Sequence, residues 1–239
     1  MQPHSHAFVI RAAVRASGSA WLVRRESEIL RGNTAEDDFV WLGLRLRAPG
    51  LTHTYRPGSR FGELGAPSAL AQLERWLARA RRAERAEAAA FWLGRACHLL
   101  GDMAVPARTR GVWHLFGDPL EAYWEAHVSE LPLLLGAAAE LGAPSASPTE
   151  HAEMLARASS AWPADTTRTP WGAWQFRARG IGQQLDAVAI EQQARVLLQS
   201  AVQHTRGFLL SALPSLSSAN KKTPEAAKAP GVFVSGRNA

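Results

Sequence analysis

Apolar residues recur at helical spacing along most of this chain, falling at i, i+3, i+4 and i+7 over long stretches. Between residues 5 and 31 they include Phe8, Val9, Ala12 and Ala13, then Trp21, Leu22, Ile29 and Leu30. Gly18 breaks this run and Gly32-Asn33 stops it, which predicts one or two helices. Pro67-Ser68 reads as a helix start, and the segment from Ser68 to Met103 predicts two helices joined near Arg82. In the second of them Ala89, Trp92, Ala96, Leu99, Leu100 and Met103 form the buried stripe. Gly94 and Gly101 lie beside that stripe, where they permit close approach of another backbone, and Pro106 closes the helix. Asp118-Pro119-Leu120-Glu121 joins an N-cap residue, a first-turn proline and an acid three residues after the cap, opening a helix to about Leu135. Glu150 to Ala158 and Gln183 to Leu213 are the remaining helical stretches.

Two regions lack a sustained period. Thr34 to Pro67 reads as loops around a short helix near Asp38 to Arg45, and long loops of this kind tend to carry function. Trp162 to Trp174 is a Pro- and Trp-rich loop. Beyond Pro214 the composition shifts to Ser, Ala, Lys, Pro and Gly, as in a disordered tail. No strand pair is evident. The expected architecture is an all-α helical domain over residues 1–213, followed by a tail over 214–239.

Composition narrows the class. At 239 residues, with 46% hydrophobic and 20% charged, the chain is long enough for a full core and is globular rather than disordered or fibrous. No apolar run approaches the roughly 20 residues of a membrane span. The start lacks a basic region followed by an unbroken apolar core, so no signal peptide is expected. That places the protein inside the cell if the start is complete, and outside it if the start is truncated. A single cysteine, Cys97, excludes both an intramolecular disulfide framework and a cysteine-rich zinc site. Net charge is +6, which suits an anionic partner. However, the 24 arginines are spread along the chain and the three lysines all lie in the tail, a distribution that codon bias explains. Nucleic acid is therefore the less favoured partner.

The densest chemistry lies between Phe91 and His127, in FWLGRACHLLGDMAVPARTRGVWHLFGDPLEAYWEAH. His98 and Asp102 stand one helical turn apart, about 40° around the axis, so an imidazole nitrogen and a carboxylate oxygen reach the same ion. Such a pair is also a common hydrogen-bonded couple. His6, His53 and His114 lie near helix ends or in loops, with Asp37 and Asp38 as further carboxylates. Nitrogen and oxygen donors of this mix suit zinc. Each has a plainer reading. His6 could be solvated, Asp37 competes with Asp38, Glu121 could serve as a capping acid, and His114 could bond a loop carbonyl. His127, His151 and His204 read as structural or exposed.

In order and context these residues resemble the family of zinc-dependent bacterial phospholipases C and the related single-strand-specific nucleases. FWLGRACHLLGDMAVP carries the most specific part, an aromatic-Leu-Gly helix followed by His-x-x-x-Asp and a proline. Further matches are His6 before Ile10, GNTAED ending at Asp37, LTHTYRPG with His53, and GDPLEAY with Glu121. The resemblance implies an all-α fold holding one to three zinc ions in a cleft, two being the expected number, with a metal-held hydroxide attacking a phosphodiester. It assigns Asp37, His53, His98 and Asp102 to one ion, His6 and Asp102 to a second, and Glu121 with His114 to a third. Asp37 is the expected general base. Arg108 stands where the family has a histidine; a guanidinium cannot ligate a cation but can hold a phosphate oxygen. The implied substrate is a phospholipid or another phosphodiester, with peripheral contact at a membrane surface. The alternatives are a single-strand nuclease and a catalytically silent homologue that binds a partner.

Overall fold

The computed structural model describes residues 3–36, 38–41, 44–47, 53–59, 67–110, 118–132, 146–164 and 185–217. Asp37 and His114 lie outside them. The fold is all-α, as the periodicity predicts, and one apolar cluster gathers residues from most of its helices. α1 (Pro3–Ser17) ends at Gly18, whose φ of 65° lies in the left-handed region where a side chain is disfavoured. α2 (Ala20–Arg24) and α3 (Glu26–Ala35) follow. Gly32 does not stop α3, contrary to expectation. It lies inside the helix because its missing side chain leaves room for Phe91, whose carbonyl oxygen would sit 1.9 Å from an added Cβ.

Asp38 to Arg47 corrects the sequence reading. In place of a short helix, β1 (Asp38–Trp41) pairs antiparallel with β2 (Leu44–Arg47), aligning Asp38 with Arg47 and Trp41 with Leu44. Short apolar runs carry no decisive period, and Phe39, Val40 and Trp41 are strand formers.

α4 (Ala69–Arg82) begins where Ser68 caps it, its side chain accepting from the Ala71 N–H. α5 (Ala86–Asp102) is the central helix, packed against α3 and α4. Gly94 meets the α3 backbone as expected, an added Cβ there falling 1.9 Å from the Ile29 carbonyl oxygen. At Gly101 the close neighbour is a side chain, the His6 imidazole, rather than a backbone. Pro106 opens α6 (Pro106–Thr109) instead of closing α5, which ends four residues earlier; a proline fits the first helical position because its missing N–H would have no partner there.

Asp118 caps α7 (Pro119–Ala126) by accepting from the Leu120 and Glu121 N–H groups. This helix is shorter than the expected run to Leu135 and is capped at its far end by His127. α8 (Pro148–Ser160) begins with a reciprocal capping box between Ser147 and Glu150. The closing α9 (Ala187–Ser217) passes through Pro214 and so extends beyond the expected boundary at residue 213. Trp124, fully buried, pins α7 to α9 by donating from Nε1 to the Ala194 carbonyl at 3.0 Å. Among the described residues no helix is long and apolar enough to cross a membrane.

Candidate metal centre

Five elements deliver side chains to one buried point. α5 supplies His98 and Asp102 from its last turns. α1 supplies His6, and its start is held by Glu125 of α7, which accepts from the Ser5 N–H and pairs with His4. His53 comes from the loop before α4. That loop is tied twice just after His53: the Tyr55 N–H donates to the Arg108 carbonyl at 3.1 Å, and the Thr54 carbonyl accepts from the Ala69 N–H at 3.0 Å. α6 and α7 supply Arg108 and Glu121. The turn after α5 is braced by α8, where the Ser159 hydroxyl donates to the Met103 carbonyl at 2.6 Å.

Asp102 is the hub, at 0% exposure. Its Oδ2 lies 2.8 Å from His53 Nδ1 and 3.5 Å from His98 Nε2, and its Oδ1 lies 3.3 Å from both His6 Nε2 and Arg108 Nε. The His6 and His98 rings stack with centroids 4.1 Å apart, and His53 meets His98 edge-on at 5.0 Å. Ligand atoms of His6, His98 and Asp102 all fall within 4.8 Å of one another. The resemblance implies different ions for His6 and His98. Their donor atoms lie within 4.8 Å of one another, both beside the Asp102 carboxylate that the resemblance implies is shared by the two ions.

At His6 and Asp102 electrostatics favour the protonation states that a cation requires. Burial, and next the neighbouring His98, push His6 down to about 3 against the opposing pull of Asp102, so its ring is neutral. Burial alone would raise Asp102. The positive charges around it, Arg108 foremost, outweigh that and hold its carboxyl well below the usual range. Two buried imidazoles, His6 and His98, and the ionised Asp102 carboxylate form a donor set that suits zinc, with His53 against the same carboxylate, so the residues present fit a zinc ion.

Glu121 does not fold back as a capping acid. It is buried at 4% exposure and its Oε1 accepts from Arg108 Nε at 3.0 Å. Arg108 itself is buried, and its Nε faces two carboxylates rather than an open cleft. Asp118, also buried, is raised to about 7 by burial and by Glu121.

Other polar groups missed from the sequence are structural. Glu36 is buried and paired with Arg95, whose guanidinium also lies 4.1 Å over the Trp76 ring. Glu125 ties α7 to α1 across 120 residues, a separation no local pattern encodes. The histidines read as structural or exposed stay apart from the centre. His151 is buried against Gly207 with its Nδ1 3.4 Å from His204 Nδ1, and His127 stacks on Tyr123.

The fold has known counterparts. The chain is similar to the Clostridium perfringens alpha-toxin of avian strain SWCP, with a TM-score of 0.62, 16% identity and 90% of this chain covered. It is also similar to the alpha toxin of Clostridium absonum, at 0.60, 13% and 92%. It spans 64% and 66% of those two chains, just under two thirds of their lengths. At such identities the likeness is one of fold. No family model and no curated protein matches the sequence.

Proposed function

We propose that this chain is a zinc-dependent phosphodiester hydrolase of the phospholipase C type, acting on phospholipids. The observation that carries the reading is the convergence of His6, His53 and His98 on the buried Asp102 carboxylate. The all-α fold and its likeness to two alpha-toxins support it. His6, His53, His98 and Asp102 would hold the ion. When bound there, zinc supplies a Lewis acid that lowers the pKa of water towards ~7 and neutralises charge developing on a phosphate. Asp102 compensates charge and, with its neighbouring imidazoles, orients the donor set. Asp37, carried over from the resemblance, is the residue proposed to accept a proton from the attacking water. Burial of the four donors keeps competing water from their lone pairs.

Release of phosphorylated headgroup from phosphatidylcholine vesicles tests this reading, with single-stranded DNA as a parallel substrate. Zinc-loaded protein is expected to hydrolyse the lipid and to stop when a chelator is added. His98→Ala should lower the rate by more than ~100-fold, since losing a ligand exceeds the 10–100-fold loss typical of a ligand's supporting partner. DNA cleavage without lipid turnover would transfer the assignment to the nuclease reading. A second reading, a silent homologue, is favoured by the Arg108 guanidinium bridging Asp102 and Glu121. Zinc retained with no turnover of either substrate would establish it.

A further inference from the structure

Arg108 brings a permanent positive charge into a place where a cation would otherwise be needed. Its Nε lies 3.3 Å from Asp102 Oδ1 and 3.0 Å from Glu121 Oε1. Both carboxylates are buried, at 0% and 4% exposure, and Arg108 is buried at 9%. Two acids brought this close out of water stay ionised only beside a compensating cation. Guanidinium provides it at any accessible pH and offers no lone pair to a metal. A divalent ion that used Asp102 and Glu121 together would have to occupy the volume Arg108 fills. One placed alongside would stand next to a like charge in a low-dielectric interior. Of the three imidazoles, His53 Nδ1 and His98 Nε2 face Asp102 Oδ2, the oxygen turned away from Arg108, while His6 Nε2 faces Oδ1.

Building on the zinc reading above, we propose that Arg108 is a built-in cation between Asp102 and Glu121 that takes the place of a second divalent ion and limits this centre to one. Asp102 is then shared between one zinc ion and one guanidinium. Glu121 serves to fix the guanidinium rather than to ligate metal. The number of ions is set by one residue, and the centre is mononuclear by composition.

Zinc content decides this, measured by plasma mass spectrometry after equilibration with excess zinc and gel filtration. The full chain should retain one ion. Arg108→His places a neutral ligand beside Asp102 and Glu121, and should retain one ion more than the unaltered chain. Two or more ions in the unaltered chain would overturn the proposal, and so would a folded Arg108→His protein that gains none. Absence of zinc from the unaltered chain would defeat the zinc reading instead, and the gain or lack of gain in Arg108→His would still decide the role of Arg108. If Arg108→His fails to fold by circular dichroism, Arg108→Gln provides the comparison. Zinc should raise its melting temperature more than it raises that of the unaltered chain, and an equal or smaller rise would overturn the proposal.

Discussion

Asp102→Ala is expected to abolish zinc retention and to lower stability even in zinc-free protein. Its carboxylate lies within 3.5 Å of all three imidazoles and of Arg108. Without it the remaining donors are imidazoles alone, and affinity should fall by well over ~100-fold, beyond the loss seen for supporting partners. The metal-free effect has a separate cause. Removing one member of a buried ion pair typically costs about 3–5 kcal/mol. Glu121 still faces Arg108 in the variant, so the lower end, about 3 kcal/mol, is expected. In a chain of this size that is a fall of roughly 6–12 °C in melting temperature. Calorimetry with and without chelator separates the two effects. An unchanged zinc-free melt would show that the Asp102–Arg108 pair contributes nothing to folding.

The second large effect is expected at the crossing of α3 and α5. An added Cβ at Gly94 would fall 1.9 Å from the Ile29 carbonyl oxygen and 3.0 Å from the Asn33 nitrogen. Both obstacles are backbone, so no rotamer change relieves them and the helices must separate. Overpacking commonly costs about 1–3 kcal/mol. With two helix backbones in contact the upper end or beyond applies to Gly94→Ala, again roughly 6–12 °C for 3 kcal/mol. Gly58→Ala is the contrast. Gly58 has a φ of 83° and nothing within 4 Å of an added Cβ, so only the backbone conformation is penalised, by about 1–2 kcal/mol. Thermal melts of the two variants should rank Gly94→Ala well below Gly58→Ala. The reverse order would mean that α3 and α5 are less tightly apposed than described.

How much of this was legible in the sequence depends on the range of the interactions. α4, α5 and the start of α7 follow from local signals: an apolar stripe at period 3.6, Ser68 as a cap, and Asp118 before Pro119. The same local reading misjudged Gly32, Pro106 and Pro214. Glycine and proline break helices in isolation, yet Gly32 is kept inside α3 by the close approach of Phe91, and Pro106 is suited to a first turn. The hairpin from Asp38 to Arg47 was hidden because a short apolar run has no telling period.

At the site, His98 and Asp102 could be paired from spacing alone, being one turn apart. His6 and His53 could not. Their arrival at the same carboxylate depends on the packing of α1 and of the loop before α4 against α5, and only the family resemblance pointed to it. Arg108 and Glu121 show the limit most clearly. Either could have faced a ligand, and their engagement with each other depends on where α6 and α7 are set in the fold.

Everything proposed for this chain depends on the remote imidazoles and Asp102 binding one cation together. Zinc K-edge X-ray absorption on the loaded protein tests it most directly, because imidazole rings give a characteristic outer-shell signal. Nitrogen and oxygen donors are expected at about 2.0–2.2 Å, with the scattering of two or three histidines. A shell of oxygen alone, or no ion retained to measure, would contradict it.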